Sequence, residues 1–415
     1  MIKEEKKTAT AEEKTAKKKQ RKKLFLKILL GIVAVIAVFI LCVSLVSLIG
    51  NNANMAKAKS FENAGTRQLE LEEYEDGFVN IYCDDELKVM QLTDVHLGGG
   101  WMSLKKDSMA LNAVAAMITE EKPDLVIATG DVAYPILFQA GTINNFTGLK
   151  LFAELMESLG VYWTIAFGNH DVESNSIHSY EEVLELLSGE DYPHCLLSTA
   201  PGDVDGYSNH VINVVNSENK VTRSLIMIDS HAYAKGHIPV INWAYDNVHD
   251  NQIEWYSQVV KNLADENGAA VPSSVFLHIP LTEYRDAWNE YVENGRKDTE
   301  NVKFIYGIAG EDGELVYCGS AEDGLFEAML DGGSTDTVFC GHDHFNRFSV
   351  DYKGIKLTYG MSIDYLAYVG IYKVGAQRGC TMITYGTDGS VEYSAENYYQ
   401  DKYSTVYEKE TVEML

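Results

Sequence analysis

Five short apolar segments of this chain each end in a group of aspartate, asparagine or histidine residues, and this arrangement limits the fold more than any other feature. The segments are 87–92, 124–129, 161–167, 274–278 and 336–340. Stretches with helical periodicity, 106–121 and 148–159, separate the first three. Apolar strands that alternate with helices are typical of an α/β fold with parallel strands. Because ligands bind beyond the carboxyl ends of such strands, we expect the five groups to meet at one rim.

The polar groups at these strand ends contain the side chains that transition metals prefer. They are Asp94 and His96; Asp131; Asn169, His170 and Asp171; His278; and His342 and His344. Oxygen and nitrogen donors of this kind suit Zn, Fe or Mn. Two neighbouring ions need a shared carboxylate and about three further ligands each. The sequence therefore predicts that Asp131 bridges two ions. Asp94, His96 and His344 would complete one site, and Asn169, His278 and His342 the other.

The order of these motifs resembles that of the calcineurin-like metallophosphoesterase superfamily. The chain has D-x-H at Asp94, G-D at Gly130, G-N-H-D at Gly168, a single histidine at His278 and G-H-x-H at Gly341. The resemblance covers about residues 68–396, and the tails of the last two motifs look most like the Dcr-type and purple-acid-phosphatase-like branch. It implies a four-layer α/β/β/α sandwich with two packed sheets. It also implies hydrolysis of phosphate esters by a water that two metal ions activate, with Mn, Fe or Zn as candidate metals.

The resemblance also implies roles for motif residues that are not expected to bind metal. His170 corresponds to a histidine that binds no metal and instead stabilises or protonates the reacting ester, and Asp171 is expected to orient it. Tyr134 completes a G-D-x-x-Y pattern in which purple acid phosphatases use the tyrosine to bind ferric iron. Those enzymes lack a histidine at the position of His96, so we expect Tyr134 to pack at the rim. Separately, Asp229 and Asp343 are expected to support ligand imidazoles.

Three functions are compatible with these motifs. The first is a phosphomonoesterase-like hydrolase of a small phosphorylated substrate. The second is a phosphodiesterase or a hydrolase of nucleotides or pyrophosphates, because the metal ligands are shared and loops select the substrate. The third is a non-catalytic surface binding protein, which degenerate motifs would favour, and none of the motifs is degenerate here.

An uncharged apolar run from Ile28 to Ile49 predicts a transmembrane anchor. Its 22 residues are long enough for a helix to cross the hydrocarbon core. The preceding Lys17–Lys23 segment is strongly basic, which predicts a cytoplasmic N-terminus and a catalytic domain outside the cell membrane. A cleaved signal peptide is the alternative, with Ala56-Lys57-Ala58 as its cleavage site.

The charge of the rest of the chain argues against nucleic acid as a partner. Residues 1–27 hold 11 basic and 4 acidic residues, whereas the remainder holds 23 basic and 57 acidic residues. A nucleic-acid-binding surface normally needs a basic patch. The cysteines outside the apolar run are sparse and form no CxxC pair, so neither a disulfide framework nor a zinc–thiolate site is expected.

These observations divide the chain into a basic cytoplasmic segment (1–27), an anchor (28–49), a solvated spacer (50–67), a catalytic domain (68–396) and an exposed acidic tail (397–415). Within the domain, 78–82 and 87–92 are strand-like and are separated by Asp84-Asp85-Glu86. This spacing predicts a β-hairpin.

Overall fold

The structure is a computed structural model that describes residues 2–73, 77–238, 242–368, 378–404 and 409. It consists of two compact units, Met1–Gly50 and Asn51–Leu415. Most of the long helix α1 (Ile2–Ala58) makes up the first unit. The apolar part of α1 has no buried residue and is long enough to cross a membrane, as the uncharged run predicted. A signal sequence near the N-terminus can meet the same criteria of length and composition.

The second unit begins with the last residues of α1 and contains all the strands of the described residues. In chain order its elements are β1 (Glu70–Glu73), β2 (Phe78–Tyr82), β3 (Leu87–Leu92), α2 (Leu104–Glu121), β4 (Leu125–Thr129), α3 (Asn145–Leu159), β5 (Tyr162–Ala166), α4 (Tyr180–Leu187), β6 (His210–Val215), β7 (Val221–Met227), α5 (Asp250–Asn267), β8 (Ser273–Phe276), α6 (Thr282–Glu293), β9 (Val302–Tyr306), α7 (Leu325–Gly332), β10 (Thr335–Cys340), β11 (Ser349–Tyr352), β12 (Ile355–Tyr359), β13 (Gly379–Tyr385) and β14 (Val391–Asn397). All six cysteines are free.

The strands form two sheets. The five-stranded sheet has the order β14-β13-β3-β4-β5, in which β3, β4 and β5 run parallel. The nine-stranded sheet has the order β1-β2-β6-β7-β8-β10-β12-β11-β9, in which β7, β8, β10 and β12 run parallel. In the five-stranded sheet the parallel strands run from the central β3 to the edge strand β5, and in the nine-stranded sheet they lie in the interior.

Strand β4 shows how its sequence produces the layers. All five of its residues are buried. Leu125 and Ile127 belong to the apolar cluster that the two sheets share, while Val126 and Ala128 belong to the cluster beneath α2 and α3. Both faces of the strand are therefore covered, which explains its continuous apolar run.

The opposite side of the molecule repeats this pattern. A third apolar cluster joins the nine-stranded sheet to α5, α6 and α7 through residues such as Tyr256, Tyr284 and Phe326. The architecture is thus α/β/β/α in four layers, and the predicted fold class is confirmed.

The predicted hairpin of 78–82 with 87–92 is wrong. Strand β2 pairs in parallel with β6 in the nine-stranded sheet. Strand β3 belongs to the other sheet, where β4 and β13 occupy both of its edges. The acidic turn between them carries the chain from one sheet to the other.

Two segments expected to be solvated pack against the core instead. In the predicted spacer, Ala58 and Ala64 are buried in the cluster beneath α2 and α3. In the predicted tail, Tyr398 and Tyr403 are buried in the same cluster. Residues 405–408 and 410–415 lie outside the described residues. In both segments the buried apolar residues are alanines or tyrosines within an otherwise polar sequence.

Candidate metal centre

The ends of both sheets meet around the predicted metal ligands. The five-stranded sheet contributes the residues that follow β3, β4 and β5, and the nine-stranded sheet contributes those that follow β8 and β10. The five groups come together as the strand pattern predicted, but they join two sheets rather than lining the rim of one.

Asp94, His96 and His344 form the first ligand trio. Their possible ligand atoms all lie within 4.8 Å of one another, and the three side chains are buried. Oδ1 of Asp94 lies 3.4 Å from Nε2 of His344 and 3.9 Å from Nε2 of His96. The trio corresponds to one of the two predicted sites.

Asp131, His278 and His342 form the second ligand trio, again with possible ligand atoms within 4.8 Å. Nε2 of His278 lies 3.3 Å from Nδ1 of His342 and 3.2 Å from Oδ1 of Asn169. Asn169 therefore adds an oxygen to this trio, as the second predicted site requires.

Asp131 faces both trios. Its Oδ2 lies 3.2 Å from Nε2 of His278 and 3.3 Å from Nε2 of His96. Its Oδ1 accepts a hydrogen bond of 2.7 Å from the backbone N–H of His170. One carboxylate oxygen is thus fixed by the backbone, and the other lies where two ions would share it.

The hydrogen bonding of the Asp94 carboxylate indicates whether a cation fits this site. Its Oδ2 accepts hydrogen bonds from the hydroxyl of Thr93 and the backbone N–H of His342. Its Oδ1 is buried and has no hydrogen-bond partner among the described residues. A buried carboxylate oxygen without a donor is costly unless a cation faces it. Because this oxygen faces the Nε2 atoms of His96 and His344, the residues fit a metal ion between them.

The carboxylates of the site favour positive charge at two of its histidines. Burial alone would lower the pKa of His96, but the carboxylates of Asp131 and Asp364 raise it to about 10. Burial also opposes the rise at His278, where Asp131 brings the pKa to about 9. The pKa of Asp131 falls well below its usual range because His278 and His170 offset the effect of burial. Such a field stabilises bound cations.

Four of the predicted ligands hold a backbone conformation that residues with side chains avoid. The φ angles are 50° at Asp94, 52° at His96, 53° at Asp131 and 76° at His342. A left-handed conformation costs about 1–3 kcal/mol at each non-glycine residue, and such strain concentrates at ligand clamps. The surrounding fold therefore forces these side chains towards one point.

Two of the glycines that precede the ligands allow very close contacts. A Cβ at Gly341 would lie 1.8 Å from Oγ1 of Thr93, and a Cβ at Gly168 would lie 2.3 Å from Oδ1 of Asp131. A side chain at either position would push the neighbouring ligand loop out of place.

His170 contacts Glu173 rather than Asp171. Its Nδ1 lies 2.5 Å from Oε1 of Glu173. The same Glu173 oxygen accepts a hydrogen bond of 3.1 Å from the hydroxyl of Tyr233, which in turn accepts one from Nδ2 of Asn169. The expectation that Asp171 orients His170 was therefore wrong. The sequence signal for Glu173 was an acidic residue three positions after the histidine.

Asp171 instead holds the backbone of the ligand loops. Its carboxylate accepts hydrogen bonds from the N–H groups of Asp131, Ala133 and Gly168, at 3.0, 2.9 and 2.9 Å. Burial, together with the charge of Asp131, raises its pKa to about 6. Asp171 thus ties the loop after β4 to the loop after β5.

Replacing Asp171 with asparagine is expected to reduce the free energy of unfolding by about 1–3 kcal/mol, because one of its two acceptor oxygens becomes a donor that faces backbone N–H groups. Chemical denaturation of the full chain measures this difference. Asp265→Asn, at an exposed position in an i,i+4 pair with Lys261, serves as the control and should change little. Equal stability of the two variants would contradict the role of Asp171.

Asp364 is a carboxylate that the sequence analysis missed. Its two oxygens lie 3.5 Å from Nδ1 of His96 and 3.3 Å from Nδ1 of His344. The facing histidines outweigh burial and hold its pKa well below the usual range. A carboxylate that faces Nδ1 leaves Nε2 of each ring free for a metal ion. The sequence feature that could have identified Asp364 is its position shortly after strand β12, where the other candidate site residues also follow strands.

Asp229 and Asp343, which were expected to support ligand imidazoles, bond elsewhere. Asp229 accepts from the backbone N–H groups of residues 207, 208 and 231. Asp343 accepts from the backbone N–H of Tyr317 and the hydroxyl of Tyr359. The expectation was wrong for both.

Tyrosine rings pack directly against three of the ligand histidines. Tyr134 stacks on His96 with ring centroids 4.4 Å apart, and its hydroxyl donates to Oε1 of Gln139 at 2.6 Å. Tyr245 lies 4.3 Å from His342, and Tyr368 lies 4.6 Å from His344. With its hydroxyl engaged by Gln139, the buried Tyr134 packs against the ring of His96.

Three comparisons place the chain among known proteins. Residues 87–346 match the family model described as calcineurin-like phosphoesterase. The chain is 27% identical over 343 residues to "Probable inactive purple acid phosphatase 14" of Arabidopsis thaliana, covering 74% of this chain and 79% of that protein. It is 26% identical over 314 residues to "Phosphatase DCR2" of Saccharomyces cerevisiae, covering 70% of this chain and 49% of that protein. A crystal structure of a dimetal phosphatase from Danio rerio is 14% identical with a TM-score of 0.44, covering 75% of this chain and 99% of that chain.

The family match spans more than half of the chain. It includes all nine predicted site residues, from Asp94 to His344, and the strands that carry them. The chain belongs to the calcineurin-like phosphoesterase family.

Proposed function

We propose that this protein is a metal-dependent hydrolase of phosphate esters, acting mainly on monoesters, that a single N-terminal helix holds at the outer face of the cell membrane. The observation that carries the proposal is the pair of ligand trios, in which Oδ2 of Asp131, a member of the second trio, also faces His96 of the first.

Seven residues would hold two ions of Mn, Fe or Zn. Asp94, His96 and His344 would hold one, Asn169, His278 and His342 the other, and Asp131 would be shared. When bound, the ions supply Lewis acidity and bring the pKa of a water molecule towards neutrality. Asp364 would keep the rings of His96 and His344 turned towards their ion.

His170 would handle the proton at the substrate. Its Nε2 lies 4.0 Å from Oδ2 of Asp131, and its side chain is 20% exposed, so that a substrate can reach it. The carboxylate of Glu173 accepts a hydrogen bond from Nδ1 and fixes the orientation of the ring. The Nε2–H of His170 can then donate to a phosphoryl oxygen or to the leaving oxygen.

The proposed topology rests on the first part of the chain. The basic segment before Ile28 favours a cytoplasmic N-terminus. Cleavage after Ala58 would remove a buried residue of the core, together with Asn54, whose Nδ2 donates to the carbonyl of Leu104. These contacts favour an uncleaved anchor over a signal peptide.

Metal reconstitution tests the activity. The full chain in detergent is stripped of metal and reloaded with Mn, Zn or Fe, and hydrolysis of p-nitrophenyl phosphate is compared with that of bis-p-nitrophenyl phosphate. We expect metal-dependent hydrolysis with the monoester preferred. Preference for the diester would favour a phosphodiesterase. Bound metal without hydrolysis of either ester would contradict the proposal and favour a non-catalytic binding protein.

Replacing Asp364 with asparagine is expected to weaken the binding of one of the two ions by about 10–100-fold, because the rings of His96 and His344 lose their carboxylate. Metal titration of the stripped protein measures both affinities. Asp229→Asn is the matched control, since Asp229 is also buried but accepts only from backbone N–H groups. Equal metal affinities in the two variants would rule out this role for Asp364.

A further inference from the structure

Four large apolar side chains are exposed on two loops beside the metal centre. The exposed fractions are 37% for Trp101, 43% for Met102, 49% for Leu137 and 85% for Phe138. We call these four residues the apolar rim. Single exposed apolar residues are ordinary, but a group of large ones marks an interaction surface.

The two loops form one surface. The backbone N–H of Met102 donates to the carbonyl of Ala140 at 3.1 Å. A Cβ at Gly141 would lie 2.5 Å from Cδ1 of Trp101, so the loops pack closely. The apolar rim is therefore held by the fold and is not a set of unrelated side chains.

The rim lies where the chain enters the second unit. Nδ2 of Asn51 donates to the carbonyl of Gly99 at 2.7 Å, two residues before Trp101. The uncharged run ends at Ile49, only two residues before Asn51. Two residues span at most about 7 Å, so a membrane that contains the run passes close to the loop of Trp101.

The charge around the rim differs from that of the rest of the chain. Residues 51–61, 97–106 and 135–146 together contain four lysines and no aspartate or glutamate. The lysines are Lys57, Lys59, Lys105 and Lys106. The chain as a whole has a net charge of −27. Lys59 lies 3.5 Å from Oε2 of Glu154, which offsets part of this charge. A surface with lysines and exposed tryptophan and aliphatic residues is complementary to an anionic lipid surface.

The rim is also connected to the metal centre. Gln139, next to Phe138, accepts from the hydroxyl of Tyr134, whose ring stacks on His96. Along the chain, five positions separate His96 from Trp101. A substrate held at the lipid surface beneath the rim would lie near the ligands.

We propose that the apolar rim contacts the surface of the membrane that holds the anchor, and that the metal centre acts on phosphate esters carried by lipids of that membrane. The contact rests on the proposed anchor. The substrate class rests in addition on the proposed hydrolysis, so the two parts need separate measurements.

Fluorescence quenching tests the contact without any activity. The full chain is placed in vesicles of phosphatidylcholine and phosphatidylglycerol, some of which carry a nitroxide near the headgroup. All five tryptophans lie outside α1, so the helix adds no signal. We expect Trp101→Phe to lose most of the quenching and Trp243→Phe, at another exposed tryptophan, to retain it. Undiminished quenching in Trp101→Phe would overturn the contact.

Hydrolysis of phosphatidic acid in the same metal-loaded vesicles tests the substrate class. The double variant Leu137→Glu/Phe138→Glu should slow this reaction at least about tenfold, since two carboxylates replace apolar contacts at an anionic surface. Hydrolysis of soluble p-nitrophenyl phosphate should stay unchanged. The matched control Ile305→Glu/Leu330→Glu alters residues that are 40% and 38% exposed elsewhere, and both rates should stay unchanged.

The outcomes separate the two parts of the proposal. If the double variant slowed the hydrolysis of both esters equally, or of neither, the proposal that the substrate is carried by a lipid would be contradicted. Quenching that depends on Trp101 in a protein that hydrolyses neither ester would refute the proposed hydrolase and leave the contact standing.

Discussion

Replacing Asp131 with asparagine is expected to abolish phosphate-ester hydrolysis and to remove at least one of the two bound ions. Oδ2 of Asp131 lies between His278 and His96, so the variant removes the charge that both sites share. Lewis-acid stabilisation supplies several kcal/mol, so we expect kcat/KM to fall at least about a thousandfold. Steady-state kinetics and the metal content of the full chain measure the two effects.

Asp124→Asn is the matched control for this substitution. Asp124 is buried at the opposite end of β4, where it accepts hydrogen bonds from Arg67 and from the backbone N–H of Lys88. Asp124 precedes β4, whereas Asp131 follows the same strand at its other end. The control should retain both metals and the rate. An Asp131→Asn protein that keeps two metals and full activity would contradict the shared carboxylate.

Replacing His170 with alanine is expected to lower kcat by about 10²–10⁴-fold while both metals remain bound, because proton transfer by a positioned histidine contributes about this factor. Glu173→Gln should lower kcat less, since the neutral amide still contacts Nδ1 but is a weaker hydrogen-bond acceptor than the carboxylate. The losses should be greater for alkyl phosphates than for p-nitrophenyl phosphate, since the poorer leaving group needs the proton more.

A series of phosphate monoesters with different leaving groups measures this dependence. The control is His178→Ala, whose ring pairs with Glu182 at a half-buried position of the same region. It should leave kcat and the leaving-group dependence unchanged. If His170→Ala retained the wild-type dependence, the proton would be supplied by another group. If Glu173→Gln lost metal instead of kcat, its contact with Tyr233, which in turn bonds to Asn169, would be the important one.

The sequence predicted those candidate ligands that directly follow an apolar strand, because the strand and the polar residues after it are adjacent in the chain. Strands β3, β4 and β10 end where the apolar segments end, and the ligands follow within four residues. This works because a buried strand must be apolar on both faces, while the chain beyond its end is free to be polar. The ligand trios follow from the meeting of such ends.

What the sequence did not predict depends on contacts between distant segments. Asp364 approaches His96 only because β12 lies beside β10 in the second sheet. Glu173, by contrast, is close in sequence, but whether it or Asp171 reaches His170 depends on how the loop turns. The failed hairpin had the same cause, since β2 and β3 find partners in different sheets.

One missed helix had a readable pattern. In α6 the buried residues Tyr284, Trp288 and Tyr291 repeat at helical spacing, although charged residues between them hide the repeat. The interpretation of 50–67 as a spacer failed for a similar reason, because alanines are small enough to be buried within a polar sequence, as Ala58 and Ala64 are.

The left-handed conformations at four candidate ligands lower the stability of the local backbone while placing side chains that the activity needs. The four residues are Asp94, His96, Asp131 and His342. Without metal these positions are frustrated, since the backbone strain is not compensated by any bond to a ligand. Glycine at any of them would relieve the strain and favour the empty fold, while deleting a ligand. The stability of the empty fold and the binding of metal therefore make opposing demands on the same four positions.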